Sequence, residues 1–427
     1  ATTEIYTLSY TTLFRSAGSD ANSGKTKAVL TDDGKHYLIT GQKMWITNAG
    51  FADIFIVFAK IEDDKNLTAF LVEKTFGGIT MNDEEKKMGI KGSSTRQVFF
   101  NDCKVPVENM LSTRGNGFKI AVNILNIGRI KLGAGVIGGS KQVITLATQY
   151  ANQRKQFKTN ISSFGAIQYK LAEMATRVYA TEAASYRAGQ YMEDHCDYLK
   201  ANGATLSEAK LKGAEEYAIE CAIMKVHGSE VLDYVVDEGV QVYGGMGFSA
   251  DAPMERAYRD ARITRIYEGT SEINRMLLVG MLLRRAFKGE IGLLGAAKDV
   301  AKELTGIPSF AMPDYSELFA AEKDVIKNMK KAILMTLGRA AQVFTTKLKD
   351  EQEIMMAISD MIIETYVAES TLLRSEKMVA QKGEEACQAE ILMAKVYLQR
   401  AVQITNAQGR EAISCFAEGD ELRAMLM

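Results

Sequence analysis

From Lys27 to Val105 the chain consists of short runs of β-branched and aromatic residues separated by turn-forming residues. Runs of this kind, bounded by Gly, Asp and Asn, are typical of β-strands. The separating turns are Asp32-Asp33-Gly34, Asn48-Ala49-Gly50 and Phe76-Gly77-Gly78. The segment therefore predicts a compact antiparallel sheet or barrel of about 80 residues.

From Gly117 onward the hydrophobic positions recur with a helical period, beginning at Phe118, Ala121 and Leu125. We predict four long helices in this part of the chain. They cover residues 117–151, residues 164–192 with Ser162 or Ser163 as N-cap, residues 205–236 with a capping box of Thr205 and Glu208, and residues 271–287. Together these helices predict a four-helix bundle.

Residues 289–427 continue as helices with heptad-like apolar spacing. The pattern predicts a multidomain α protein with a β domain: an antiparallel β-barrel or sandwich, then a four-helix bundle, then a C-terminal helical extension. We place the β domain at residues 17–112, the bundle at 113–288 and the extension at 289–427.

Composition narrows the class of protein further. A length of 427 residues with 47% hydrophobic content indicates a multidomain globular chain. The net charge of −1 argues against a nucleic-acid binder that relies on bulk charge. Uncharged apolar runs stay well short of the ~18 residues that a membrane span needs. The five Cys and three His lack metal-binding or triad spacing, so we expect reduced thiols and acid–base chemistry from carboxylates.

The two ends of the chain lack the usual signals of a natural boundary. Residues 1–16 are crowded with Thr, Tyr and Ser and show neither an amphipathic period nor the Arg-rich bias of a transit peptide. Residues 421–427 stop within a helical pattern with no capping signal. We therefore expect residues 1–16 to be foreign or misassembled sequence, and the chain to be a fragment.

The segment from Tyr258 to Arg275 contains the most suggestive candidate for chemistry. Glu268 precedes Gly-Thr-Ser at the point where a loop becomes a helix. Its carboxylate can project from a turn while hydroxyl and backbone N–H groups face a ligand. Alternatively, it is a first-turn Glu that the helix dipole favours. The residues alone leave both interpretations open.

Three other segments also admit a structural and a functional interpretation. Gln241 to Phe248 is a Gly-rich turn after a helix, which is either a helix cap or a phosphate or cofactor contact. Arg154 to Phe157 is either a solvated helix end or an anion clamp. Trp45, with Thr47 on the same strand face, is either buried or stacked on a cofactor ring.

Gly128 stands in the middle of a predicted helix, within Asn126-Ile-Gly-Arg129. Glycine at such a position costs about 1 kcal/mol relative to Ala. Some group therefore packs closely against it, and a neighbouring helix is the first candidate.

Together these segments resemble the acyl-CoA dehydrogenase family of flavoproteins. The matching segments, in family order, are Ala17–Asp20, Gly41–Ala49, Gly117–Ala121, Asn126–Arg129, Arg154–Phe157, Gln241–Phe248, and Glu255–Ile263 running into Ile266–Thr270. They span residues 17–288, and residues 289–427 resemble the C-terminal extension of the very-long-chain branch. Before Ala17 the family normally has Thr-Glu-Pro-x, where this chain has Leu13-Phe-Arg-Ser16.

The resemblance implies an N-terminal helical domain, expected to be missing here, a middle β domain and a four-helix bundle, with FAD at a subunit interface. It implies FAD-dependent α,β-dehydrogenation of a long-chain acyl-CoA to trans-2-enoyl-CoA in fatty-acid β-oxidation. Glu268 would remove the α-proton while the β-hydrogen leaves as hydride to flavin N5. A sub-branch of the family places its base at the position of Gly128, and glycine closes that alternative here.

The same mapping implies contacts to cofactor and substrate. The implied FAD contacts are Trp45, Ile46, Thr47, Arg154, Phe157, Gln241, Val242, Tyr243, Gly244, Gly245, Thr270, Ser271 and Glu272. Of these, Arg154, Phe157 and Gln241 to Gly245 are implied for the pyrophosphate and adenine side of the neighbouring subunit's FAD. The implied acyl-CoA contacts are Ser19, Asn126, Arg129, Tyr267 and Gly269.

The resemblance also implies an electron-transfer flavoprotein as electron acceptor, and a homodimer. Three alternatives stay open: an acyl-CoA oxidase that uses dioxygen, a non-catalytic assembly or scaffold relative, and a fragment that is inactive without its first domain. The Met- and Ile-rich stripes of residues 289–427, beside Lys327, Lys330 and Lys331, predict either packing between helices or a peripheral membrane or dimer surface. The expected compartment is the bacterial cytoplasm, with contact to the inner membrane as an option.

Overall fold

The computed structural model describes residues 10–13, 18–304, 306 and 314–426, and the chain divides into two compact units, residues 1–125 and 126–427. The strands are β1 (Tyr10–Leu13), β2 (Lys27–Leu30), β3 (His36–Thr47), β4 (Ile54–Ile61), β5 (Thr68–Glu73), β6 (Ile79–Met81), β7 (Thr95–Pro106), β8 (Met110–Leu111), β9 (Lys155–Gln156) and β10 (Thr159–Asn160). The helices are α1 (Gly117–Gln153), α2 (Gly165–Ala201), α3 (Leu206–Glu216), α4 (Ala218–Tyr243), α5 (Pro253–Ala261), α6 (Ser271–Phe287), α7 (Leu293–Leu304), α8 (Ala320–Phe344), α9 (Gln352–Lys382), α10 (Gln388–Ser414) and α11 (Gly419–Leu426). A sheet-rich part followed by helices confirms the predicted fold class.

The first unit is built around an eight-stranded sheet in the order β6-β7-β3-β2-β4-β5-β8, with β1 paired to β4. Strand β3 pairs antiparallel with β2 and β7, whereas β4 runs parallel to β2 and to β1. The sheet is therefore mixed, and the prediction of a purely antiparallel sheet is wrong in part. Hydrophobic alternation shows which face of a strand is buried but not which strand lies beside it.

Strand β1 comes from the segment that we expected to be foreign sequence. Its residues pair in register with Ile54 to Val57 of β4. Residues 1–9 and 14–17 lie outside the described residues. The expectation about the origin of residues 1–16 therefore stays a prediction.

The first unit contains a buried lysine. Lys43 is 1% exposed, and its Nζ donates a hydrogen bond to the Phe58 carbonyl oxygen at 2.8 Å. Burial lowers the pKa of Lys43 to about 8. The charged form of Lys43 therefore costs free energy in the folded first unit.

We expect the stability difference between the native protein and a Lys43→Met variant to depend on pH. Between the folded pKa of about 8 and the ordinary value of 10.5, the unfolded chain binds more protons than the folded chain. The free energy of unfolding of the native protein therefore rises with pH across this window, by on the order of 3 kcal/mol from this group. Urea unfolding followed by the fluorescence of Trp45, the one Trp in the sequence, measures the first unit directly.

A Lys35→Met variant is the control for this experiment because Lys35 is exposed in the same sheet region. Its stability difference from the native protein should stay constant with pH. A Lys43→Met difference that is equally constant would contradict the prediction.

The four predicted helical segments lie within residues 117–287, and all but the first turns of α1 belong to the second unit. Helices α1 and α6 agree with the prediction, and the capping box of Thr205 and Glu208 is present at the start of α3. The helix predicted over residues 205–236 is divided into α3 and α4 at Tyr217, whose ring stacks on that of Tyr191. Hydrophobic periodicity does not reveal such a break, because buried residues occur both before and after Tyr217.

The predicted N-cap of α2 is wrong. The helix begins at Gly165 with Phe164 in the N-cap position, and Phe164 makes no side-chain capping bond. Ser162 and Ser163 belong to a 3-10 turn that follows the β9–β10 hairpin. The hairpin and the turn place Phe164, and not a serine, at the start of the helix. The two serines in the sequence did not indicate this hairpin.

Within the described residues, α1 is the one helix long and apolar enough to cross a membrane, judged by length and composition. Lys119, Arg129, Lys131 and Lys141 interrupt α1, so its uncharged runs are short in the sequence. Ile137, Val143 and Ala147 of α1 are buried in a cluster with residues of α2 and α4. A core helix of a bundle meets the same criteria, so this is weak evidence for a span.

The C-terminal helices pack onto the bundle. One hydrophobic cluster joins residues of α8, α9 and α10 to residues of α2, α4 and α6. The apolar pattern of α8 consists of Ile326, Met329, Ile333, Met335 and Leu337; four of these are buried, and Met335 is half-buried. Lys330 and Lys331, beside this stripe, pair with glutamates of other helices. The buried positions therefore pack between helices, and the peripheral membrane or dimer surface of residues 289–427 stays a prediction.

Candidate active site

The loop between α5 and α6 places Glu268 at a strained backbone position. Glu268 has φ +59° and Gly269 has φ +82°, both in the left-handed region. For a residue with a side chain this conformation costs about 1–3 kcal/mol. At Gly269 a Cβ would also lie 3.0 Å from Asn274 Nδ2, so glycine is required there. The loop then enters α6 with Thr270 as N-cap, its hydroxyl accepting from the Ile273 N–H.

Two buried side chains hold the backbone of this loop. The amide nitrogen of Asn274, which is fully buried, lies 2.9 Å from the carbonyl oxygens of Gly269 and Thr270 and 3.4 Å from that of Glu268. Arg129 is 3% exposed, and its Nε donates to the Glu268 carbonyl oxygen at 3.1 Å. The Glu268 carbonyl is therefore fixed from α1 and from α6.

Arg129 is itself oriented by a neighbour on α1. Its Nη1 donates to Asn126 Oδ1 at 2.9 Å, and Asn126 is 2% exposed. Burial lowers the pKa of the Arg129 guanidinium, and the negative charge of Glu268 opposes this shift. The two side chains are predicted substrate contacts, and the structure places them beside the loop that carries Glu268.

A third buried donor holds the two ends of the loop together. Lys225, on α4, donates from Nζ to the Arg265 carbonyl oxygen at 3.1 Å and to Ser271 Oγ at 3.5 Å. Its side chain is fully buried, and burial lowers the pKa of Lys225 to about 8. Buried hydrogen bonds of this kind limit the movement of the segment between Arg265 and Ser271.

The carboxylate of Glu268 lies against the backbone of Gly128. A Cβ built at Gly128 would be 2.6 Å from Glu268 Oε2 and 2.9 Å from Cδ. The mid-helix glycine is therefore explained by this carboxylate, and the suggestion of a neighbouring helix is wrong. The acidic group occupies the space beside α1 that a side chain at position 128 would need.

The structure brings together one set of the predicted residues in the second unit. This set consists of Asn126, Arg129, Tyr267, Glu268, Gly269, Thr270, Ser271 and Glu272. Tyr267 is half-buried, Ser271 is buried and Glu272 is exposed.

The predicted residues of the first unit differ in exposure. Trp45 is 48% exposed and has φ +59°, at an irregularity of pairing between Lys43 and Ile46, so the interpretation of a buried Trp is wrong. Thr47 is exposed at the end of β3. Ile46 is 2% exposed as a whole residue and pairs with Arg96 of β7, so neither its side chain nor its backbone is open in this structure. Ser19 is exposed in a turn.

The remaining predicted cofactor residues lie at the far end of α1. Phe157 is 90% exposed at the tip of the β9–β10 hairpin, and Tyr150 stacks on Tyr243 with ring centroids 4.1 Å apart. The ends of α1 and α4 therefore meet there. Arg154 follows Arg129 by about 25 residues, which is roughly 37 Å along a straight helix.

The backbone of the Gly-rich turn is accessible, although one of its side chains is not. Gln241, Gly244 and Gly245 are exposed, whereas Val242 is 3% exposed and packs in the bundle. A Cβ at Gly244 or Gly245 would meet no atom within 4 Å. This segment offers main-chain groups rather than side chains to a ligand.

Sequence reasoning did not identify Asn274 and Lys225, the two donors that hold the loop from α6 and α4. Lys225 interrupts the apolar run Cys221 to Val226, and a charge within such a run is a usable signal of a buried, bonded lysine. Asn274 has no comparable signal, because a polar residue in the first turns of a helix is ordinarily solvated.

Comparison with known proteins identifies the family. The middle-domain model of acyl-CoA dehydrogenase matches residues 15–103, and two C-terminal-domain models match residues 115–283 and 328–427. A probable acyl-CoA dehydrogenase of Bacillus subtilis (strain 168) is 46% identical over 412 residues, which are 96% of this chain and 68% of that protein. The mitochondrial very long-chain specific acyl-CoA dehydrogenase of Rattus norvegicus is 36% identical over 91% of this chain and 60% of its own length.

A solved structure agrees with these matches. The crystal structure of an acyl-CoA dehydrogenase complexed with FAD from Bacillus anthracis has a TM-score of 0.92 and 45% sequence identity, covering 98% of this chain and 70% of that chain. These matches place the chain in a class of FAD-dependent oxidoreductases. The chain belongs to the acyl-CoA dehydrogenase family.

Proposed function

We propose that the protein containing this chain catalyses the FAD-dependent α,β-dehydrogenation of an acyl-CoA, with Glu268 as the base. The observation that carries the proposal is the placement of the Glu268 carboxylate against Gly128 on a loop that buried side chains of α1, α4 and α6 hold. A base must stand within hydrogen-bond reach of the proton that it removes. A fixed backbone meets this requirement without ordering the loop during the reaction.

Glu268 takes the α-proton of the acyl thioester in this proposal. Such a proton is weakly acidic, so negative charge that develops on the thioester oxygen needs a hydrogen-bond donor positioned beforehand. We assign part of this task to the backbone N–H of Glu268. The bonds from Arg129 and Asn274 to the Glu268 carbonyl oxygen orient the peptide that follows Glu268, which is not the peptide that carries this N–H.

Four of the residues assigned to FAD have the exposure and the chemistry that such a cofactor needs. Trp45 and Phe157 present exposed aromatic rings, and Gly244 and Gly245 present open backbone. Flat aromatic side chains suit the isoalloxazine and adenine rings, and an open main chain beside Arg154 suits a pyrophosphate. When bound, FAD supplies the acceptor for the β-hydrogen, which leaves as hydride. Of the other assigned residues, Thr47 and Glu272 are exposed and Thr270 is half-buried, whereas Ile46 and Ser271 are each 2% exposed.

We further propose a homodimer in which Arg154, Phe157 and the Gly-rich turn serve the partner's FAD. The separation of roughly 37 Å between these residues and the Glu268 loop exceeds what one dinucleotide spans. The exposed Phe157 ring is the kind of anchor that an interface buries. Light scattering of the FAD-loaded protein tests this assembly. A monomer that retains one FAD per chain would contradict it.

A visible absorption spectrum tests the proposed function. We expect palmitoyl-CoA, added under argon, to bleach the flavin band of the purified protein. The relative named as very long-chain specific supports a long acyl chain, and butyryl-CoA is the comparison substrate. A flavin band that neither thioester bleaches would contradict the proposal.

Reoxidation identifies the electron acceptor. We propose an electron-transfer flavoprotein, which should restore the flavin band much faster than air does. Rapid reoxidation by dioxygen alone would instead indicate an acyl-CoA oxidase.

A further inference from the structure

Helix α6, which begins directly after the Glu268 loop, is tied to the C-terminal block by one arginine. Arg275 donates from Nε to Asp360 Oδ1 of α9 at 2.7 Å. The same guanidinium donates from Nη1 and Nη2 to the two carboxylate oxygens of Glu230 on α4, at 2.7 and 2.9 Å. The Arg275 side chain is 12% exposed, and that of Asp360 is 24% exposed. Arg275 is therefore held from two sides by two different helices.

The ion-pair clamp formed by Arg275, Asp360 and Glu230 lies next to Asn274, which orients the Glu268 loop. Asn274, whose amide reaches three loop carbonyls, immediately precedes Arg275 in the second turn of α6. The two side chains share the same rigid helical segment. A displacement of this turn therefore moves the loop carbonyls, and with them the Glu268 carboxylate against Gly128.

We propose that Asp360 is a positioning residue for Glu268, acting through Arg275 and the first turns of α6. The inference rests on the proposed function of Glu268 as the base. It gives the C-terminal helical block a part in catalysis besides its packing on the bundle. Asp360 touches no reacting group itself.

Because the clamp is partly buried, its ion pairs hold Arg275 firmly. Ion pairs that are largely withdrawn from water hold their partners more firmly than exposed pairs do, and losing one partner is costly. Without the Asp360 carboxylate, Glu230 alone attracts the guanidinium, and the force on α6 is directed toward α4. Small misplacements of a catalytic group reduce rates strongly, whereas binding of a long substrate depends on many other contacts.

The test replaces Asp360 by Asn in the FAD-loaded protein. We expect kcat to fall by about tenfold while KM for palmitoyl-CoA changes by less than about twofold. We also expect faster hydrogen–deuterium exchange of amides in residues 262–275, measured without substrate, and an unchanged flavin content. Asp360→Glu, which keeps the carboxylate, should recover most of the lost kcat.

Arg374→Gln is the matched control. Arg374 also lies on α9, and it pairs with Glu182 of α2 at 2.8 Å. Its loss leaves Glu182 with Lys141, so one ion-pair partner remains, as for Arg275 in the Asp360 variant. This pair joins α9 to α2 and not to α6. We expect it to change kcat and exchange in residues 262–275 little.

The outcomes separate this inference from the proposed function. Equal losses in the Asp360→Asn and Arg374→Gln variants, or a loss in Asp360→Asn that resides in KM, would overturn the positioning role. An Asp360→Asn variant with native kcat and native exchange would also overturn it. In each of these cases Glu268→Gln still reports separately on whether Glu268 is the base.

Discussion

Replacing Glu268 by Gln is expected to lower the rate of acyl-CoA dehydrogenation by about a thousandfold or more. A positioned general base contributes roughly 10²–10⁴ to a rate, and an amide oxygen cannot take its place at neutral pH. Gln has nearly the same shape, and the backbone carbonyl at this position keeps its bonds to Arg129 and Asn274. The loss should therefore appear in the chemical step and not in folding or in FAD content.

Stopped-flow bleaching of the flavin with excess palmitoyl-CoA measures this step directly. Glu290→Gln is the control, because Glu290 lies beyond the end of α6 and its side chain is 47% exposed. That variant should bleach at the native rate. A Glu268→Gln variant that retains more than about a tenth of the native rate would mean that another group removes the proton.

The sequence predicted those parts of the candidate site that depend on local pattern. Glu268 followed by Gly-Thr-Ser indicated a loop entering a helix, and the structure shows Thr270 as the N-cap of α6. Such a signal is local because an N-cap bonds to amides two or three residues away. The capping box at Thr205 was predictable for the same reason, whereas the length of α1 followed from its helical period.

Contacts between residues far apart in the chain were not predictable. Arg129 and Glu268 are separated by 139 positions, and Arg275 and Asp360 by 85. Periodicity identifies the buried face of each helix, but it does not identify the residue that faces it. At Gly128 the sequence indicated a close neighbour, and only the structure shows that this neighbour is a carboxylate.

The sheet shows the same limit. The β-branched and aromatic residues beside Trp45 predicted a strand there. The positive φ of Trp45 and its exposure coincide with an irregularity in the pairing of β3 with β7. The irregularity is a property of two strands together. One strand's sequence therefore suggested a buried Trp, whereas the paired strands expose it.

Replacing Gly128 by Ala is expected to reduce dehydrogenation by about a hundredfold while slightly stabilising the protein. Alanine is favoured over glycine within a helix by about 1 kcal/mol. The added methyl group would lie 2.6 Å from Glu268 Oε2, so the end of a flexible side chain must move away. Folding tolerates this movement at little cost, whereas a proton transfer that depends on the position of the carboxylate does not.

Gly135→Ala provides the matched control on the same helix. Its Cβ would meet nothing within 4 Å, so it gains the same helix propensity without touching Glu268. Both variants should show a higher free energy of unfolding in urea, and only Gly128→Ala should bleach its flavin slowly with palmitoyl-CoA. Full activity in Gly128→Ala would show that the carboxylate works from a different position. A loss of activity together with a loss of stability would show that the methyl group disturbs α1 itself. Slow proton transfer in a variant with native or higher stability is therefore the result that links Gly128 to the position of the Glu268 carboxylate.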